Sequence, residues 1–153
     1  MFIANAFKIN HEQVKDLRVL IVRSRFNEEI VNHLYNSCST QLMDIGVLPE
    51  HVISYEVPGA LEIPVTIKKA LTKHHFDCVI ALGCIIKGDT YHFEIVANES
   101  ARGITDLASN VAVPIINQIL TLYNKTQAHE RIETKGQDAA FAAIEMAQLF
   151  KQI

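Results

Sequence analysis

Apolar positions along the chain fall into two alternating kinds of stretch. Short, nearly continuous runs suit strands buried on both faces, and longer stretches with a three- and four-residue spacing suit amphipathic helices. Leu17 to Val22 is a β-branched and Leu run of the kind buried inside a parallel sheet. From Glu28 to Ile45 the apolar residues Ile30, Val31, Leu34, Leu42 and Ile45 keep helical spacing, with Glu28 and Glu29 favourable to the dipole of the first turn and Gly46 as the stop. His51 to Val57 reads as a second strand. Pro64 is tolerable only in the first turn of the helix that follows, to about Thr72. Asp77 to Gly83 is a third strand, and the next helix puts Phe93, Val96, Ala97, Ala101, Ile104, Leu107, Ala108 and Val111 on one side. Val113 to Leu122, with Pro114 near its start, is the fourth strand. A short helix runs from Tyr123-Asn124 to about Arg131, and an alanine-rich helix with a small, close-packing face spans Gly136 to Phe150. At the N-terminus, Phe2 to Phe7 alternate weakly before Asn10-His11-Glu12-Gln13 breaks the pattern, which predicts a short detached strand in need of a partner edge.

Strands alternating with helices at this spacing predict an α/β fold: a three-layer αβα sandwich around a mainly parallel four-stranded sheet, with the short N-terminal strand added. No repeat or linker divides the chain, so residues 1–153 are expected to form a single domain, and 49% hydrophobic content is enough for a full core. The formal net charge of −3 offers no basic field for nucleic acid. Cys38, Cys78 and Cys84 lack metal-binding spacing and suit reduced thiols in a cytoplasmic protein. The adjacent His74 and His75 face different sides of a helix and make a poor metal pair. The sequence begins without a basic segment or a long apolar one, so neither export nor a membrane span is expected.

In such sheets ligands bind beyond the carboxyl ends of the strands, and the unusual residues cluster there. They are Arg25-Phe26-Asn27 after the first strand, Pro58-Gly59-Ala60-Leu61-Glu62 after the second, Lys87 to Glu94 after the third, and Asn117 to Tyr123 along and after the fourth. In the third of these Gly88 permits a sharp turn, Asp89 or Thr90 is a good N-cap, and the amides of the next turn form an anion site. His92 in that turn carries an imidazole, the side chain type suited to proton transfer near neutrality. A capped helix with an exposed His is the plain alternative. Phe26 is a core aromatic or a stacking surface for a heterocycle. Glu62 is a helix cap or a carboxylate for ligand hydroxyls. Arg131 is a solvated surface residue or a phosphate fork. Cys84 reads as a small buried hydrophobe rather than a nucleophile.

Taken together, the blocks Arg25-Phe26-Asn27, Val57 to Pro64, Ala81 to Phe93, Gln127 to Arg131, Lys135-Gly136 and Ala143 to Met146 resemble the lumazine synthases in order and spacing, from about Leu17 to the C-terminus. The resemblance implies a flavodoxin-like fold. It also implies condensation of 5-amino-6-(D-ribitylamino)uracil with 3,4-dihydroxy-2-butanone 4-phosphate, with neither metal nor organic cofactor. By the same resemblance Phe26 stacks on the pyrimidine, Ala60, Leu61 and Glu62 hold the ribityl chain, and Cys84, Ile85 and Ile86 line the ring pocket. Asp89 and Thr90 contact phosphate with Arg131, and His92 relays protons. It implies a homopentamer, or a pentamer pair, whose sites lie between subunits, with Asn117 and Arg131 reaching the neighbour's site, and riboflavin synthase as the consumer of the product. Asn117 and Gln118 depart from the family, which carries an aromatic residue and a Gly there, so a more polar ring pocket is expected. The segment Arg131 to Gly136 is short and lacks the insert of capsid-forming members. A flavin- or lumazine-binding module without turnover is the competing expectation. A signalling receiver is weaker, because Arg23-Ser24-Arg25 replaces the acidic pair that Mg²⁺ needs.

Overall fold

The computed structural model describes residues 7–153. A one-turn helix α1 (His11–Val14) leads into β1 (Val19–Ser24), α2 (Glu28–Ile45), β2 (Val52–Val57), α3 (Ile63–Lys73), β3 (Cys78–Ile86), α4 (His92–Asn110), β4 (Ile115–Leu122), α5 (Lys125–His129) and α6 (Ile132–Gln152). The four strands form one sheet in the order β2-β1-β3-β4, with every neighbouring pair parallel. This is the expected three-layer flavodoxin-like arrangement. The N-terminal strand expected over Phe2 to Phe7 falls, Phe7 excepted, outside the described residues.

Side-chain alternation along the two central strands divides the core. Val19, Ile21, Ile80 and Leu82 pack with Leu34, Cys38 and Leu42 of α2 and Ala139, Ala143 and Ile144 of α6. Leu20, Val22, Val79 and Ala81 pack with Ile63, Ile67 and Ala70 of α3 and Ile104 of α4. The α2–α6 contact is the closer of the two helix pairs: a Cβ on Gly136 would meet the Leu34 carbonyl at 2.7 Å and Ser37 Cβ at 2.6 Å. Ser37 Oγ donates to the Glu133 carbonyl beside it at 2.6 Å. α2 ends as expected at Gly46, whose φ of 121° suits a residue without Cβ.

Polar ties anchor the C-terminal end of α6. Buried Gln148 accepts from the Asn10 N–H at 3.1 Å and donates to the Asn10 carbonyl at 2.8 Å, holding the N-terminal segment by both backbone groups of one residue. Asp77 accepts from the Arg18 N–H at 2.7 Å and pairs with Lys151 at 3.3 Å. Burial acts to raise the Asp77 carboxyl; the Arg18 hydrogen bond and the Lys151 ammonium outweigh it, so the group lies below its ordinary value. His75 stands 3.4 Å from the same carboxylate, a partner for Asp77 and not for His74.

Several boundaries differ from the sequence reading for identifiable reasons. Asn10 to Gln13 is not merely a break: the Asn10 side chain accepts from Glu12 N–H and caps α1. β3 continues past Gly83 to Ile86 because β4 pairs with it as far as Leu122, so Cys84, Ile85 and Ile86 belong to a strand, not to the turn. α4 is not capped by Asp89 or Thr90. Its N-cap is Tyr91, in helical conformation and without a side-chain cap bond, and Thr90 Oγ1 accepts from the His92 N–H only at 3.4 Å. α6 starts at Ile132, ahead of Gly136, so the segment expected to connect the last two helices is itself helical and only Glu130 and Arg131 separate α5 from α6. Gly136 is a packing position inside the helix, not its boundary. The apolar stripe of α4 is shallow: among its residues only Ser100 and Ile104 are buried and Ala101 is exposed.

Gly136→Ala places a methyl against the α2 backbone, which cannot move aside as a flexible side chain would. The expected cost is that of overpacking, about 1–3 kcal/mol, despite alanine's better helix propensity. Urea unfolding at equal protein concentration measures it, and a midpoint at or above that of the parent protein is the contrary result.

Candidate active site

The carboxyl ends of β1, β2 and β3 open on one edge of the sheet, and the residues that follow them enclose a cleft of about 370 Å³. Ser24 of β1 is in register with Val57 of β2, so the chain leaves both strands at the same level. The two loops stay joined: the Arg25 N–H donates to the Val57 carbonyl at 2.8 Å and the Phe26 N–H to the Pro58 carbonyl at 3.2 Å. Phe26 is thereby fixed by its backbone while its ring remains 71% exposed at the cleft. That excludes the core-aromatic reading within this chain. Asn27, at φ 59° and ψ 47°, turns the chain into α2, and its Nδ2 donates to the Cys84 carbonyl at 2.8 Å.

After β2, extended Gly59 leads into the 3₁₀ turn Ala60–Glu62, closed by the Glu62 N–H on the Gly59 carbonyl. Pro64 follows in the first turn of α3, where its missing N–H costs no helical bond. Glu62 occupies the N-cap position of α3 but makes no side-chain cap bond, and among the described residues it enters no ion pair. The capping role expected as one alternative is absent, and the carboxylate stays at the cleft with Ala60 and Leu61.

β3 supplies the floor through Cys84, Ile85 and Ile86. Burial pushes the Cys84 thiol up to about 11, so it is neutral near neutral pH and contributes apolar surface, not a nucleophile. The loop Lys87 to Tyr91 is exposed, and α4 then returns toward the cleft with His92, Phe93 and Val96 on its rim. Beside the cleft, Glu56 bridges Arg23 at 3.3 Å and Arg25 at 3.8 Å, while the Arg23 guanidinium lies 4.1 Å from the Tyr35 ring centroid and donates to Asn32.

The fold therefore brings together Phe26, Ala60, Leu61, Glu62, Cys84, Ile85, Ile86 and His92. Asp89 and Thr90 stand on the adjoining exposed loop and do not line the cleft. Asn117 lies on β4 in register with Ala81, and its Oδ1 accepts from the Ile119 N–H at 3.0 Å. Arg131 is the N-cap residue of α6, where it donates to the Gln127 carbonyl at 3.0 Å and pairs with Glu130 at 3.2 Å. Neither reaches the cleft of its own chain. Pro58, Gly59, Phe93 and Val96 also line it. The last two belong to the apolar stripe of the helix, which the sequence places on one side without naming what it faces. The available signal was their position one and four residues after His92, which places that end of the apolar stripe beyond the sheet. A larger groove of about 430 Å³ between α2 and α6 has lining side chains such as His33, Thr40, Asp44 and Glu133, remote from these loops.

The profile of the family described as 6,7-dimethyl-8-ribityllumazine synthase matches residues 16–151. A protein of that name from Verminephrobacter eiseniae is 50% identical over 135 residues, covering 88% of each chain. Another, from Albidiferax ferrireducens, is 48% identical over 139 residues, covering 91% of this chain and 88% of its own. A third, from Burkholderia multivorans, is 50% identical over 133 residues, or 87% of this chain and 77% of its own. With the profile spanning the whole sheet and every loop around the cleft, the chain belongs to the 6,7-dimethyl-8-ribityllumazine synthase family.

Proposed function

We propose that the protein condenses 5-amino-6-(D-ribitylamino)uracil with 3,4-dihydroxy-2-butanone 4-phosphate to 6,7-dimethyl-8-ribityllumazine, releasing phosphate and water. The observation that carries the reading is the single cleft that gathers an exposed aromatic ring, a free carboxylate, an apolar floor and an imidazole at the carboxyl edge of the sheet, in a chain of this family. The 5-amino group attacks the butanone carbonyl and loses water to form an imine. Elimination then expels phosphate, and attack by the ribityl-bearing nitrogen closes the second ring with loss of a second water. Electrons balance without oxidant or reductant, so the steps call for no redox cofactor. Each step moves a proton, and His92 at the rim is the titratable group best placed to carry it. Phe26 stacks on the pyrimidine, Ala60, Leu61 and Glu62 receive the ribityl hydroxyls, and Cys84, Ile85 and Ile86 exclude water from the ring. Holding two reactants in one orientation supplies much of the remaining acceleration. The exposed Phe26 ring leaves the cleft open to solvent, which favours passage of substrates over tight storage of a coloured ligand, the competing reading.

Phosphate binding needs a charge that this cleft lacks within one chain. Asp89 and Thr90 bring backbone amides near the start of α4, and Arg131 of an adjacent subunit supplies the guanidinium, with Asn117 closing the ring pocket from the same side. Exposed Tyr91, Ile95 and Leu61 around the cleft support such a contact. The assembly is a homopentamer or a face-to-face pair of pentamers in the cytoplasm, and riboflavin synthase consumes the product.

His92→Ala is expected to lower turnover by about 10²–10⁴-fold while ribitylaminouracil binding persists. Lumazine absorbance and released phosphate, followed together, measure it; unchanged turnover removes His92 from the mechanism. Arg131→Ala is expected to raise KM for the butanone phosphate alone, since a charge-assisted hydrogen bond contributes about 1.5–3 kcal/mol. Equal weakening of both substrates contradicts its role. The two-residue link between α5 and α6 fixes their angle without a flexible insert, and light scattering should give the mass of about five or ten chains. A capsid of about sixty chains, or a monomer, refutes the assembly.

A further inference from the structure

An Asn at the start of a helix ordinarily turns its side chain back to accept one of the first free amides. Asn27 makes no such bond to α2. Its backbone is left-handed at φ 59°, alone among the described non-glycine residues, a conformation that Asn tolerates better than most side chains. The turn aims the side chain across the sheet edge, where Nδ2 donates to the carbonyl of Cys84 at 2.8 Å. The register of the sheet gives this bond its meaning. The ladder between β1 and β3 stops at Arg23 and Leu82, while β3 itself runs on to Ile86 with β4 as its partner. Beyond Leu82 the β1 side of β3 has lost its strand, and the Asn27 amide supplies a donor in its place. Phe26 is tied to the β2 loop through the Pro58 carbonyl; through the neighbouring Asn27 the same loop is tied to the floor of the cleft.

We infer that the Asn27 side-chain amide is a positioning strut: by holding the loop after β1 to the Cys84 carbonyl, it sets the spacing between the Phe26 ring and the cleft floor, and so the fit of the heterocyclic substrate. The inference rests on the reading of the cleft given above. Asn27 touches substrate only through these two neighbours. The chain remains folded without the bond, because the core of α2 and β3 lies elsewhere; what is lost is the separation of the two walls.

The test uses the full-length protein and the variants Asn27→Gly and Asn27→Asp. Both residues accept the left-handed backbone and neither donates to the carbonyl. Iodoacetamide labelling with peptide mapping reads all three thiols, of which Cys38 and Cys78 lie in the core away from the cleft and serve as internal controls. The expected result is a rise of about tenfold in labelling at Cys84 alone. KM for ribitylaminouracil should rise by a similar factor, as for loss of one hydrogen bond's worth of fit, with KM for the butanone phosphate nearly unchanged. Equal acceleration at all three cysteines makes Asn27 a folding residue and overturns the proposal, as does unaltered Cys84 labelling or an unaltered pyrimidine KM. If the parent protein forms no lumazine, the proposed reaction falls, and the labelling result still decides whether the strut exists.

Discussion

The parallel pairing of β1 with both β2 and β3 is the constraint from which the rest of the structure follows. Because all four strands point the same way, every connection that leaves a carboxyl end emerges on one edge, and every return helix must cross a face. The central strands are sealed on both faces by apolar side chains, so their register is held by burial as well as by hydrogen bonds. The cleft is the direct outcome. β1 and β2 end level at Ser24 and Val57, β3 projects beyond them from Cys84 to Ile86, and that step forms a floor with two loops above it.

The two helical layers do different work. On one face α6 lies so close to α2 that Gly136 has no room for a methyl, and alanines fill the remaining seam. This side is the tightly packed one. On the other, α4 buries little beyond Ser100 and Ile104, and its outer surface presents Ile95 to solvent. Among the described residues β4 lies at the sheet edge, with β3 as its partner. Asn117 accepts from the Ile119 N–H with its own side chain, a local answer to a strand edge that the described residues leave uncovered. The unfinished layer is also the one that carries Asn117, the start of α4 and the exposed apolar residues of the cleft, which supports the reading that a second copy completes the site.

Much of this plan was legible because it depends on local pattern. The runs at Leu17 to Val22, His51 to Val57 and Asp77 to Gly83 could hardly be helical, and the acidic first turn and terminal Gly46 marked α2 at both ends. The parallel sheet then assigned Phe26, the Ala60–Glu62 turn and His92 to one edge without coordinates. The errors share a cause. The end of β3 depends on how far β4 pairs with it, and the start of α4 on a backbone turn at Tyr91 instead of on the capping side chains beside it. Along the sequence Gly136 has the look of a boundary, and Ile132 to Gly136 that of a connection. The close approach of α2, invisible in the order of residues, gives that glycine its reason.

By itself the sequence determined the order of strands and helices, the buried faces and the edge at which the chemistry would gather, since hydrophobic period and turn residues act over a few positions. Tertiary structure decided which of the candidates meet. It set Phe93 and Val96 of the apolar stripe at the cleft, held Asn117 and Arg131 away from their own chain's cleft, and made the Asn27 side chain a tie between two strand ends. Those outcomes depend on register and on the relative length of neighbouring strands, which are properties of pairing between distant segments and are carried by no single stretch of the chain.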